Sequence, residues 1–159
     1  MPALSGTGIV RRGWLSLPGL LWASLAWAAG PFDRPPAPVH GAEMPASSAA
    51  TSAAQYRLEA ARHLYARYPQ QVLQGKVPAH VYAIVVTETD VDAQGRVLAV
   101  RVLRGPASAH EVTPWVIAMI RQAAPLPPMQ RMNRTRYVET WLVDRSGQFQ
   151  VRTLTEGQD

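Results

Sequence analysis

The chain contains no cysteine among its 159 residues. A disulfide framework, a thiolate zinc site, a cysteine nucleophile and an acylated lipoprotein start are therefore excluded. Lysine is almost as scarce, Lys76 standing alone beside fifteen arginines. Charge-driven contacts are thus skewed towards planar, hydrogen-bonding ones, although high genomic GC content would give the same skew. No phosphate-binding glycine loop occurs. The longest apolar run, broken by Ser16, Pro18 and Gly19, is shorter than the roughly twenty residues a spanning helix wants.

What remains is 47% hydrophobic and 17% charged, with a net charge of +5 and fourteen prolines. The hydrophobic fraction is that of a globular protein, which argues against wholesale disorder. The length allows one domain and a tail.

Arg11 and Arg12 precede the apolar run, which includes Trp14, Leu15, Leu20, Leu21, Trp22 and Leu25 and ends in Ala26-Trp27-Ala28. A basic start, a short apolar centre and a small-residue exit together make a secretory signal peptide over 1–28, cleaved near Ala28. The alternative is a retained inner-membrane anchor facing the periplasm. The paired arginines fit a twin-arginine route as well as the general one. Removing residues 1–28 from 159 leaves 131 and lowers the net charge from +5 to +3. Much of the apparent basicity therefore lies in the leader.

Residues 29–54 hold Pro31, Pro35, Pro36, Pro38 and Pro45, then an Ala/Ser/Thr tract. Proline removes backbone donors and the tract offers no large side chain to bury, so this stretch reads as an extended, mobile tether. There is no internal repeat.

The folded unit is expected over 55–155. Ala61, Leu64, Tyr65 and Tyr68 form a helical stripe, extended backwards by Leu58 and stopped by Pro69. Val81 to Asp92 is rich in β-branched residues and apolar on both faces in its first half, as an inner strand would be. Asp92-Ala93-Gln94-Gly95 is a turn. Arg96 to Arg104 then alternates, with Leu98, Val100 and Val102 facing one way and Arg101 the other. A second helix carries Val112, Trp115, Val116, Met119, Ile120 and Ala123 on one face. Thr113-Pro114 offers it an N-cap, and Ser108-x-x-Glu111 a competing capping box. Tyr137 to Val143 and Gln148 to Leu154 read as strands joined by the turn Asp144–Gly147, leaving 156–159 as a frayed end. The order α-β-β-α-β-β predicts a two-layer α+β fold, an antiparallel sheet of four strands with helices on one face.

Tyr68-Pro69 at a helix end, Asp92-x-x-Gly95-Arg96-Val97 in a hairpin and Ile120-Arg121-Gln122-Ala123-Ala124-Pro125 closing the second helix resemble the C-terminal domain of TonB energy transducers. The resemblance covers roughly residues 60–144. It implies that Tyr68, Pro69, Asp92, Gly95, Arg96 and Val97 are structural. It also implies a protein partner in the cell envelope, docked by strand addition to a sheet edge. The chain departs from that pattern in four ways. Its N-terminal segment looks short and cleavable and carries no histidine. Its proline tract spans under roughly 80 Å at about 3.1 Å per residue, too short to cross a periplasm. Gln122 and Ala123 stand where an aromatic often follows the second helix's arginine. Finally, the chain continues past the strand that relatives leave open, into a segment with Phe149 and Val151. A hairpin partner outcompetes a diffusing peptide because its loop closure is short. The docking edge is therefore expected to be covered by the chain itself, with recruitment blocked or moved to the new outermost strand.

No catalytic constellation stands out. His40, His63, His80 and His110 lack metal-ligand spacing, and the serines lack a nucleophile-elbow pattern. Glu88, Asp90 and Asp92 alternate along one strand and read as a solvated strand end. No cofactor is expected. Arg131, Arg134 and Arg136 are the one basic cluster of interest, and with Phe149 and Val151 they are the candidate partner-binding residues. Export removes nucleic acid as a partner and leaves an anionic envelope polymer as a possible one. The expected protein is a periplasmic, TonB-like interaction module. The alternatives are a short membrane-anchored energy transducer serving outer-membrane receptors, and a cell-envelope polymer-binding protein.

Overall fold

The computed structural model describes residues 29–39 and 45–155. The expected signal peptide, His40 and the expected frayed end lie outside the described residues. Within them the chain runs α1 (Ala53–Arg67), β1 (Ala83–Asp92), β2 (Val97–Arg104), α2 (Val112–Gln122), β3 (Arg134–Val143), β4 (Phe149–Val151) and a 3-10 turn over Arg152–Leu154. The strands form one antiparallel sheet in the order β2-β1-β3-β4. Both helices lie on one face, α1 against β3 and α2 against β1 and β2. The α+β two-layer class read from the sequence is the class observed.

The strand alternation explains the layering. Thr135, Tyr137, Glu139, Trp141 and Val143 of β3 are buried, while Arg134, Arg136 and Val138 between them are exposed. Successive side chains point to opposite faces, so one face of the strand meets the helices and the other stays open. Ala83, Val85, Thr87, Thr89 and Val91 extend the covered face across β1. The helices supply Tyr56, Ala60, Ala61 and Leu64 from α1, and Val112, Trp115, Val116, Met119 and Ile120 from α2. Tyr56 rather than Leu58 leads the buried stripe of α1.

Local chemistry fixes the helix ends. Ser52 caps α1, its hydroxyl accepting from the Gln55 amide at 3.3 Å, and the Gln55 side chain returns to the Thr51 amide at 2.8 Å. The first contact satisfies a donor that the first turn leaves orphaned, and the second ties the residue before the cap to that turn. Neither cap expected for α2 forms. Its N-cap is Glu111, in a helical conformation and without a side-chain cap bond. Pro114 falls inside the first turn, where a missing N–H costs nothing, so no kink is needed.

Two strands differ from the sequence reading. In β2, register shifts flank Leu98 and Leu103, so Leu98 does not share a face with Val100 and Val102; it is 50% exposed. A bulge inserts a residue and breaks the period of two. The last strand is three residues long rather than seven, because the chain turns at Arg152 and packs Leu154 against the core.

The expected tether also differs. The amide of Ser48 donates to Pro128 O at 2.7 Å, that of Gln130 donates to Ser48 O at 3.0 Å, and Ala50 is buried. Further upstream, Phe32 stacks on Tyr82 at 5.6 Å and meets Trp115 edge-on at 5.4 Å. At the far end of this stretch the Val39 amide donates to Arg67 O at 2.9 Å. The described parts of 29–54 are therefore laid along the domain. One aromatic anchor on a proline-stiffened backbone suffices, since such a backbone has less entropy to lose on docking.

Candidate functional site

A sheet recruits extended partners through an edge, so the two edges of this sheet are the first candidates. On one side β4 pairs with β3, Trp141 opposite Val151, Leu142 opposite Gln150 and Val143 opposite Phe149. The turn between them places Gly147 at φ +83°, with the Asp144 amide donating to Gln148 O at 2.8 Å. The outer side of β4 is covered in its turn. The Phe149 amide donates to Gln71 O at 2.7 Å, and the Leu73 amide donates to Phe149 O at 2.9 Å. The Gln150 amide group then donates to Leu73 O and Gly75 O at 2.8 and 2.6 Å. The new outermost strand thus has its backbone groups paired and does not offer the relocated docking edge that the sequence suggested.

Phe149 and Val151, candidate partner-binding residues in the sequence, are both 0% exposed. Phe149 packs its ring 5.1 Å from Trp141, 6.0 Å from Tyr65 and 6.5 Å from Trp115. These two side chains belong to the core and are not displayed to a partner. Among the described residues the open edge of the sheet is β2, where Leu98, Val102 and Leu103 are exposed.

The arginine cluster is divided. Arg131 is exposed in the loop before β3, while Arg134 and Arg136 stand on the open sheet face. There they meet the acidic residues of β1. Arg134 donates to Asp90 through Nε at 2.7 Å and through Nη2, Arg136 reaches the same carboxylate at 3.5 Å, and Arg101 donates to Glu88 at 2.8 Å. Register explains the meeting, since Asp90 lies opposite Arg136 on β3 and Glu88 opposite Arg101 on β2. Asp90 is 1% exposed, so the solvated strand end expected there is a charge-paired one. The hydrogen bond from Arg134 holds the Asp90 carboxyl down at about 2, against the upward push of burial. The cluster is thus largely neutralised from within, which weakens it as a free anion-binding patch.

The residues behind the family resemblance sit at structural positions. The Tyr68 hydroxyl donates to Met119 O at 2.8 Å and so ties α1 to α2. Pro69 follows it, exposed, at the helix end. Asp92 accepts from the amides of Gln94 and Arg96 at 3.0 and 2.9 Å and from Arg96 Nε at 2.6 Å. Burial works against the charged form of Asp92, but these bonds outweigh it and its carboxyl lies below the usual range. Gly95 has φ +79°, and a Cβ there would lie 1.9 Å from Leu126 O. Val97 pairs with Val91 and packs against the core.

Three features escaped sequence reasoning. Glu139 lies on the covered face of β3, 3% exposed, with Oε1 accepting from the Thr140 amide at 2.9 Å and Thr153 beside the carboxylate. Burial pushes its carboxyl above the ordinary value. The alternation of β3 was the signal, since it places residue 139 in register with Tyr137 and Trp141. His63 contacts Ala123 O at 2.9 Å through Nε2, and burial holds its imidazole below the ordinary value. The third is a concavity of about 460 Å³ on the open face, lined by Ile84, Val86, Thr140 and Leu142 with Arg104 and Arg152.

Among the described residues no three His, Asp or Glu side chains come together as a metal site, and no helix is long and apolar enough to cross a membrane. No protein-family model matches the chain, and no curated protein or solved structure matches it either.

Proposed function

We propose that this chain is an exported, non-catalytic interaction module of the TonB C-terminal type that acts in the periplasm. The edge its relatives use to receive a partner is filled by its own chain, and a protein partner of the cell envelope adds instead along β2. The observation that carries this reading is the β3–β4 pairing with Gln71–Leu73 laid over its outer side. Of the two ends of the sheet, this leaves β2, an end strand that carries exposed apolar side chains and no covering segment among the described residues. The order of elements and the structural placement of Tyr68, Asp92, Gly95 and Arg96 agree with the resemblance.

Two measurements test the two halves of the proposal. Fractionation with intact-mass measurement of the native protein should find it in the periplasm, 131 residues long if cleavage follows Ala28. A retained full-length chain in the membrane fraction would favour the anchored transducer. Placing a lysine on the open edge, Leu103→Lys, should abolish capture of the envelope partner while leaving the fold intact, because charge on an edge blocks strand addition. Undiminished capture would remove β2 from the proposal.

A further inference from the structure

A second surface stands apart from the sheet edges. Between Trp115 of α2, Gln71 and the turn at Ser146–Gly147 runs a cleft of about 550 Å³, roofed by Pro31, Arg34 and Pro36. Phe32 anchors this roof by its contacts with Tyr82 and Trp115. Tyr82 is itself held in place, its hydroxyl donating to Glu111 at 2.7 Å and the Arg145 guanidinium lying 4.8 Å from its ring centre. Pro31 lies against the turn so closely that a Cβ on Gly147 would come within 3.2 Å of it.

The domain side of this cleft offers the Trp115 ring, and next to it the Tyr82 ring completes the slot that takes Phe32, a surface suited to an aromatic-anchored, proline-rich segment. Trp115 is 3% exposed, and its buried Nε1–H has no hydrogen-bond partner. Buried indole donors normally find an acceptor. With residues 30–39 seated, none of their carbonyls accepts from this indole, and Gly30 O is taken by the Asp33 amide at 3.2 Å in a turn, so the segment is held by the Phe32 ring and not by that donor. The segment seated here is proline-rich: Pro31, Pro35, Pro36 and Pro38, with Phe32 as its one aromatic.

We propose that the surface formed by Tyr82, Trp115 and the Asp144–Gly147 turn is a docking site for proline-rich segments anchored by a single aromatic. Residues 30–39 occupy it in cis, and a partner protein's segment of the same chemistry takes it when they lift. Phe32 is the strap's one large anchor, and Val39 is tied at its far end by two bonds to Arg67. A covalently attached strap acts at an effective concentration in the millimolar range, so it competes strongly with any free peptide.

The test uses the full chain and a labelled peptide of the sequence Ala29–Val39. Phe32→Ala should bind the peptide saturably and at least about tenfold more tightly than the wild type, because the cis competitor has lost its anchor. Binding should shift the Trp115 indole N–H resonance. A peptide with alanine in place of its phenylalanine should not bind, nor should the double variant Phe32→Ala, Tyr82→Ala. Equal affinity for wild type and Phe32→Ala, or binding that leaves the Trp115 indole unmoved, would overturn the proposal. So would a Phe32→Ala chain that fails to fold, since a strap essential to the core is not exchangeable.

Discussion

Phe149→Ala is the sharpest test of the claim that the C-terminal segment completes the core. The side chain is fully buried among Trp141, Tyr65 and Trp115, and its backbone bridges β3 to Gln71–Leu73. Deleting a buried phenyl ring costs about 3–5 kcal/mol, part of it transfer and part the cavity left behind. Rigid neighbours on three sides place this site towards the upper end, because they cannot collapse onto the void. A domain of this size has a total stability of about 5–15 kcal/mol, so a large share would be lost and the Tm should fall by at least roughly 10 °C. Urea denaturation followed by tryptophan fluorescence reads the change directly, with Trp141 only 5.1 Å from the deleted ring. Hydrogen exchange supplies the second readout, since the amides of Trp141–Val143 should lose protection before those in the middle of β1. Leu103→Ala, at a residue 55% exposed, is the control and should stay within about 0.5 kcal/mol. A Phe149→Ala cost below about 1 kcal/mol would refute the reasoning, because it would mean that the last strand is not part of the cooperative unit.

Three further outcomes are expected. Gly95→Ala combines a left-handed backbone with a Cβ 1.9 Å from Leu126 O; strain alone costs about 1–3 kcal/mol, and the clash should push a thermal melt further down than Gly75→Ala, which meets nothing within 4 Å. Asp90 has a folded pKa of about 2 against an ordinary 3.8, so its contribution is present above pH 3.8 and is lost as pH falls towards 2. Asp90→Asn should therefore be less stable than wild type by about 1.5–3 kcal/mol at neutral pH, and urea midpoints of the two should converge below pH 3. Glu139 has its folded pKa raised by burial, so the sign is opposite: its contribution is complete below the ordinary carboxyl value and falls as pH rises through the raised one. Glu139→Gln should flatten that decline and be the more stable protein at pH 8 by about 1–3 kcal/mol, the desolvation cost of a buried polar group; a decline unchanged in the variant would assign it to another group.

Periodicity carried most of the fold. The α2 stripe from Val112 to Ile120 is buried as its spacing requires, and the alternation of Tyr137 to Val143 gives the covered face of β3. The turns at Gly95 and Gly147 both have positive φ, as glycine after a short polar run suggests. Where the sequence misled, a long-range contact outweighed a local pattern. The composition of 29–54 reads as tether, yet Phe32 finds two aromatic walls contributed by residues 82 and 115. Arg134 and Arg136 read as a basic cluster, yet the ladder brings Asp90 between them. Phe149 and Val151 read as an outer strand available to guests, yet residues 71–73 lie outside them.

By itself, then, the order of residues determined the element types, the two-layer arrangement and the pairing of the final hairpin. All of these follow from spacings within one segment and from the small entropy of closing a short loop. Only the tertiary structure decided which edge stays open, which charges are already spent on one another, and what lies over Trp115. Those outcomes depend on groups tens of residues apart meeting at distances of a few ångströms, and no local spacing encodes such a meeting.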